Sequence, residues 1–378
     1  MWDHRQLLRI DFRVIPVLLA LMVASILVIS AFDPAVLHEA TDSGWMTPKV
    51  KSQLQRFALG GLVFILFACF DYNRLREWAW LLYALMLVAL VGVYLTSSIG
   101  RVHRWYQVPF LNASFQPSEF AKLVVVIALS WFLERRRARA GAWSTAALGL
   151  LIVGIPFVLI LKQPDLGTAL ILFPVSLVMF YFGDVHPWVV RGLSALGIVA
   201  FIAVLLIFLG ILSHDEMRPY ATKFIREYQY ERLDPTTHHQ KAAVTAIAIG
   251  GLTGTGWRQS EYTGGGWLPA AHTDSVFPAF GEEFGFLGLL LLMVLYYALL
   301  YFSFQVTAAA KDHFGRLLSA GVTIYLAMHI LINIGMMCGL LPITGVPLIL
   351  MSYGGSSVLI TMAALGILQS IYSRRFMF

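Results

Sequence analysis

Charge is scarce in this chain. Only 13% of its 378 residues are Asp, Glu, Lys or Arg, while 58% are hydrophobic. A soluble globular chain carries about 25% charged residues. The shortage excludes an ordinary water-soluble domain and marks an integral membrane protein, whose apolar side chains face lipid and helix neighbours. Cysteine is nearly absent. Cys69 and Cys338 both sit in apolar runs, where small buried residues are expected and no disulfide or metal framework is visible. The net charge of +6 is spread over short segments between apolar runs. Without a basic patch, nucleic acid is not expected as a partner. No GxSxG, HExxH or Walker loop is present. His238, His239 and His272 have no metal-ligand spacing, so no metal site is expected from them. With no internal repeat and no low-complexity linker, residues 1–378 read as one transmembrane domain. The first apolar run follows a basic N-terminus and reads as a retained helix.

What is present is apolar length. The runs lie at roughly 14–31, 53–70, 78–97, 118–133, 143–161, 166–182, 188–212, 276–305, 315–339 and 352–372. Several approach the roughly 20 residues needed to cross a bilayer. The fold class is therefore all-α, an integral membrane protein of about ten transmembrane helices. A large extracytoplasmic loop, 213–275, separates the seventh from the eighth. Its apolar middle, "AAVTAIAIGGLTGTG", reads as a re-entrant or interfacial helix ended by glycines. Arginine clusters such as "RRRAR" at 135–139 fall on the side of both termini. That bias places both termini in the cytoplasm of a multi-pass protein of the cytoplasmic (inner) membrane.

This orientation puts four unusual segments outside. In "QPSEFAK", Pro117 and Ser118 suit a helix start, with Ser118 as an N-cap. Glu119 and Lys122 are then three apart on one face and can pair, either structurally or as a charged cavity wall. In "KQPDLGT", Asp165 reads as a cap of the sixth run, with Gln163 and Thr168 around it. "LPITGVPLILMSYGGSS" offers Thr344, Ser352, Tyr353, Ser356 and Ser357 beside glycines that permit close approach. In "HTDSVFPAFGEEFGFLG", Thr273, Asp274 and Ser275 are all possible caps. Glu282 and Glu283 lie two turns deeper in the apolar run. At about 100° per residue, Glu282 is the nearer of the two to Asp274, and Glu283 faces another helix.

Together, "RWYQV" (104–108), "QPSEFAK" (116–122), "KQPDLGTA" (162–169), "HTDSVFPAFGEEFGFLG" (272–288) and "LPITGVPLILMSYGGSS" (341–357) resemble the SEDS family of shape, elongation, division and sporulation proteins. The RodA branch is the closer match, since the short tails differ from the division branch, FtsW. The resemblance implies a peptidoglycan glycosyltransferase that polymerises lipid II at the outer face of the membrane. It also implies a class B penicillin-binding protein, a transpeptidase, as partner, with other elongation-complex membrane proteins. The family's essential acid corresponds to Asp274, and its charged cavity pair to Glu119 and Lys122.

Glycosyl transfer needs a base for the acceptor hydroxyl and positive charge near the departing pyrophosphate. Asp274 is the candidate base. Arg104, Lys122, Lys162 and Arg226 are candidate pyrophosphate partners, and a divalent cation (Mg2+ or Mn2+) is a further option without a dedicated ligand set. Trp105, Gln163, Asp165, Thr168, His272, Thr273, Glu282, Thr344, Ser352, Tyr353, Ser356 and Ser357 complete the expected substrate surface. Two other readings remain open at this point. A lipid II flippase would show midplane polar groups and broken helices in symmetric halves. A non-catalytic scaffold would not need Asp274.

Overall fold

Apolar runs of bilayer length can satisfy their backbone in lipid only by hydrogen-bonding internally as helices. The computed structural model describes residues 9–31, 46–95, 104–108, 113–163, 165–223, 227–234 and 236–376. Its helices of eight residues or more are α1 (Val14–Ala31), α2 (Pro48–Cys69), α3 (Asn73–Gly92), α4 (Pro117–Arg135), α5 (Trp143–Lys162), α6 (Leu166–Phe182), α7 (Pro187–Phe208), α8 (His214–Ala221), α9 (His238–Gly250), α10 (Val276–Ala309), α11 (His313–Met337) and α12 (Gly355–Ser373). Eight helices, all but α4, α6, α8 and α9, are long and apolar enough to cross a membrane. Each of the apolar runs coincides with a helix to within about five residues. The shifts fall at the ends, where polar residues decide. α2 begins early because the Thr47 side chain accepts from Val50 N and Pro48 fits the first turn.

One short hairpin departs from the helical pattern among the described residues. Strand β1 (Tyr106–Val108) pairs antiparallel with β2 (Ala113–Phe115), Tyr106 opposite Phe115. The Tyr106 hydroxyl donates to the Ala89 carbonyl at 2.9 Å, tying the hairpin to α3.

Burial sorts the helices. In α4 the run Leu123–Leu129 is buried on every side, so this helix stands inside the bundle. Its ionisable residues therefore face protein rather than lipid. α11 and α12 are mostly buried as well, whereas α7 buries only Ile207. Cys69 is buried as expected, but Cys338 is exposed. It caps the C-terminus of α11, where the chain has already left the packed interior.

The long segment before α10 does contain the helix its apolar middle suggested, α9, which ends at Gly251 (φ 51°). The strand of chain after it lies against a break in α10 at Gly285 (φ 63°, ψ −167°). Breaking a helix frees carbonyls that must find other donors. The Glu282 carbonyl accepts from Thr255 N at 2.9 Å, and that of Glu283 from Gly256 N at 3.1 Å. In return, Phe286 N donates to Gly251 O at 2.9 Å. The two carboxylates serve the same junction. Glu282 accepts from Tyr262 N and Thr263 N, both at 3.0 Å, and from the Thr263 hydroxyl. Glu283 accepts from Arg258 N at 2.9 Å and from Ser260 Oγ at 3.2 Å. The paired acids thus fasten the segment 251–263 to the broken helix.

Gly254 holds this junction together. Its φ is +83°, and a Cβ there would fall on the Glu283 carbonyl oxygen. Gly254→Ala is expected to cost about 1–3 kcal/mol from the backbone conformation alone, with the steric clash in addition. Thermal unfolding in detergent micelles should show a clear drop in midpoint. Gly61→Ala, whose Cβ would meet nothing within 4 Å, should leave the midpoint unchanged or slightly raised.

Candidate active site

Four of the segments singled out above converge on one cavity of about 510 Å³. Pro117 opens α4 and sets Glu119 and Lys122 on its first turns. Asp165 caps α6, accepting from Thr168 N at 3.2 Å. Residues 344–347 and 353–357 form a further wall, and Thr273 and Asp274 close it ahead of α10.

Lys122 is almost fully buried and donates to Glu119 Oε1 at 2.7 Å. It also lies 2.7 Å from His329 Nε2 on α11. An ammonium can only donate, so Nε2 accepts and the ring proton sits on Nδ1. That nitrogen faces the Pro347 carbonyl at 3.4 Å. One turn further along α11, Asn333 Nδ2 donates to the carbonyls of Asp274 (2.9 Å) and Val346 (2.7 Å). A single face of α11 therefore positions both the Lys122 ammonium and the backbone that carries Asp274.

The cavity carboxylates differ in commitment. Glu119 is held by Lys122. Asp165 accepts from Ser118 Oγ (2.7 Å), Gln116 Nε2 (3.0 Å) and Thr168 Oγ1 (2.9 Å) besides its cap. Ser118 is thus a support for Asp165 and not the N-cap of α4, a position held by Gln116. Asp274 is not a cap either: Ser275 occupies the N-cap of α10. Among the described residues, no hydrogen bond reaches the Asp274 carboxylate. It faces Gly345, whose φ of +75° favours glycine and where a Cβ would stand 3.3 Å from Oδ2. Burial pushes the Asp274 pKa above the usual carboxylate range, against an opposing pull from Arg232.

Positive charge comes from three arginines on the cavity wall. Arg56 stacks 3.9 Å from the Tyr353 ring centroid. Arg104 Nε donates to Gln163 O at 2.7 Å, and Arg232 Nη1 to Thr344 O at 3.3 Å. The N-terminus of α12 adds to them: Gly354 gives it no side-chain cap, and Ser356 and Ser357 line the cavity. Uncapped N–H groups at a helix start attract anions.

Of the residues singled out in the sequence, Arg104, Trp105, Glu119, Lys122, Asp165, Thr168, Thr273, Asp274, Thr344, Tyr353, Ser356 and Ser357 all line this cavity. Others do not line it. Lys162 is exposed at the end of α5. Gln163 turns its amide to Leu90 O at 2.8 Å. His272 Nε2 lies 2.8 Å from Lys49 Nζ. Ser352 joins two walls, donating to Thr273 O at 2.6 Å and accepting from Leu348 N at 2.8 Å. Glu282 is drawn away to the α10 junction, because the N–H groups at 262–263 offer it donors that the cavity does not. Arg226 lies outside the described residues. Arg56, Arg232, His329 and Asn333 were not anticipated. Arg56, His329 and Asn333 each interrupt an apolar run, which is itself a functional signal in a membrane helix; Arg232 carried no comparable mark. Among the described residues, no three His, Cys, Asp or Glu side chains converge as a metal-ligand set.

Removing one partner of a buried pair strands the other. Lys122→Met is expected to destabilise the fold by about 3–5 kcal/mol. Adding Glu119→Gln to it should recover part of that loss, since no buried charge is then left alone. Unfolding of the single and double variants, read as a double-mutant cycle, checks the coupling. Purely additive losses would show that the pair is not coupled.

The sequence matches the FtsW/RodA/SpoVE family, described as cell cycle protein, over residues 12–375. It is 31% identical to the peptidoglycan glycosyltransferase MrdB of Escherichia coli K12, covering 99% of this chain and 95% of that protein. Stage V sporulation protein E of Bacillus subtilis is also 31% identical, over 96% of each chain. The fold resembles a chain of a peptidoglycan synthase complex that coordinates polymerization and crosslinking, with a TM-score of 0.74 at 26% identity, covering 98% and 99% of the two chains. It also resembles the rod shape determining protein RodA of Thermus thermophilus, with a TM-score of 0.69 at 25% identity and coverage of 97% and 98%. By its sequence over nearly the whole length, and by its helical membrane fold, the chain belongs to the FtsW/RodA/SpoVE family.

Proposed function

We propose that this protein is a peptidoglycan glycosyltransferase. It polymerises lipid II, a disaccharide-pentapeptide on undecaprenyl pyrophosphate, into glycan strands for cell elongation and shape. In this reading all ten apolar helices cross the cytoplasmic membrane as one domain, both termini are cytoplasmic, and the cavity opens outward. The observation that carries it is the pairing of one uncommitted carboxylate, Asp274, with three arginines and a helix N-terminus around the same cavity. The Escherichia coli relative bears the same activity in its name.

The chemistry follows from that layout. The acceptor hydroxyl attacks the anomeric carbon of the donor sugar, forming the new glycosidic C–O bond. The bond from that carbon to the pyrophosphate oxygen breaks, and the pyrophosphate leaves with the electron pair. Asp274 takes the hydroxyl proton. Its raised pKa brings its basicity nearer neutral pH, where a general base is most effective. Arg56, Arg104, Arg232 and the α12 N–H groups sit where charge accumulates on the leaving group. Glu119 gives one oxygen to Lys122 and Asp165 is taken by its four donors, so Asp274 and Glu119 Oε2 are the carboxylate oxygens that would meet a Mg2+ or Mn2+ in the cavity.

A class B penicillin-binding protein is the proposed partner, docking on α10 and α11. The exposed stripe Leu287, Leu290, Leu291, Val294, Tyr297, Tyr301 and Phe304 runs along α10 at helical spacing and suits a single transmembrane helix. Of the small residues of α11, Gly335 is used internally, packed against Leu341.

Purified protein incubated with lipid II should yield glycan strands. Asp274→Asn should fold normally and make none, a loss of at least about 100-fold if proton transfer is the whole of its contribution. Strand synthesis by the folded variant at a normal rate would overturn the assignment. For the wild type, the rate should fall on acidification through a limb above the ordinary carboxylate pKa of about 4. Arg232→Gln removes the charge that lowers the Asp274 pKa, so the limb should move to higher pH. A val-to-bulky change on the stripe, Val294→Trp, should reduce co-purification of the transpeptidase while leaving the isolated protein folded.

A further inference from the structure

A second groove, of about 590 Å³, lies between α3, α4 and α5. It sits at the end of α4 opposite the cavity: sixteen residues separate Glu119 from Arg135, about 24 Å along the helix. That end is also the end of the chain termini. Arg76 of α3 bridges Glu134 at 2.9 Å, and Arg374 approaches Asp71 at 3.7 Å.

The floor of the groove is buried and apolar, made by Tyr83, Phe132 and Ile152. The Tyr83 hydroxyl, its polar atom, is used within the fold, donating to Ile152 O at 2.9 Å and tying α3 to α5. Leu151 and Ile155 line the side and are themselves 55% and 40% exposed, so the groove opens laterally. Along α5 it runs from Leu148 to Ile155, about 10 Å at 1.5 Å per residue. That is about two-thirds of one leaflet, which is half of the roughly 30 Å hydrocarbon core.

The rim is cationic. Arg135 is held 5.0 Å over the Trp131 ring and Arg136 5.8 Å over Phe132. Both line the groove, and among the described residues no acid does. The acid next to them in sequence, Glu134, is turned toward Arg76. Two guanidiniums presented on aromatic faces beside a laterally open apolar trough match one kind of molecule.

We propose that this groove is a binding site for an anionic glycerophospholipid, with its phosphate on Arg135 and Arg136 and an acyl chain along Leu151 and Ile155. Bilayer lipid is as apolar as the trough, so the chain gains little by moving into it. Preference must therefore come from the headgroup charge. A basic residue near the membrane surface contributes about fivefold in affinity for anionic lipid. The site is independent of the glycosyltransferase reading and of the side the termini occupy, because binding alone is measured.

The test is native mass spectrometry of the delipidated full-length protein titrated with dioleoylphosphatidylglycerol, dioleoylphosphatidylcholine or chain-free glycerol 3-phosphate. The wild type should retain phosphatidylglycerol at least about tenfold more tightly than phosphatidylcholine, and should not retain glycerol 3-phosphate. Arg135→Gln/Arg136→Gln should weaken phosphatidylglycerol binding about 25-fold, two fivefold steps. Arg137→Gln/Arg139→Gln removes the same charge from residues that do not line the groove, and should change binding less than about twofold. Leu151→Trp, which fills the trough from its exposed side, should reduce binding with both arginines intact. All four arginines lie at a helix end or in the loop after it, so circular dichroism should show each variant folded. Equal retention of the two lipids would overturn the proposal. So would equal losses in the two arginine pairs, which would mean diffuse surface attraction, or tight binding of glycerol 3-phosphate, which would make the site one for free phosphate.

Discussion

The buried ammonium of Lys122 is the constraint on which the site depends. A charge inside a bundle this apolar must be paired and hydrogen-bonded, or it costs several kcal/mol. Glu119 supplies the charge from one turn earlier on α4, and His329 supplies the second acceptor from α11. The pairing therefore locks the two central helices in register. Asn333, on the same face of α11 as His329, then anchors the backbone of Asp274 and Val346. Stability at the centre and placement of the candidate base thus rest on one helix face.

Carboxylates are few in this chain, and the fold divides them by the donors it offers. Where a broken helix or a helix start exposes N–H groups, the nearest acid is taken up: Glu282 and Glu283 at the α10 junction, Asp165 at α6. Among the described residues, Asp274 is left without a donor. It sits two residues ahead of α10, beside a glycine that leaves its oxygens room. A carboxylate half-buried without hydrogen bonds is costly to ionise, which is why its pKa rises. The same deprivation suits it to accept a proton. The arginines opposite are each tied to a carbonyl or a ring, so they are pre-positioned and need not reorganise as charge develops.

The two ends of α4 do different work. Its buried start carries an ion pair and faces the polar cavity, while its end carries arginines on aromatic rings beside an apolar trough. Both follow from the same membrane rule, that ionised groups must reach protein partners or the interface.

Much of this was legible in the sequence, for a physical reason. In a bilayer the backbone must pair within the segment, so apolar length dictates a helix, and the runs at 14–31 or 166–182 give the observed bounds directly. Pairing of Glu119 with Lys122 and capping by Asp165 are local, set by residues three apart. The glycine stop of α9 is local too. What the sequence could not show is which long-range partners each polar group finds. Helical angles placed Glu282 nearer Asp274, yet the break at Gly285 and the N–H groups of residues 262–263 draw it elsewhere. Arg56 stands near the start of the apolar run 53–70, and Arg232 was hidden in a long segment without a motif. Both reach the cavity only because α2, α12 and the 344–347 segment pack together there. Spacing along one helix decides neighbours within about a turn, but contacts between helices depend on how the bundle packs, and that is settled only by the tertiary structure.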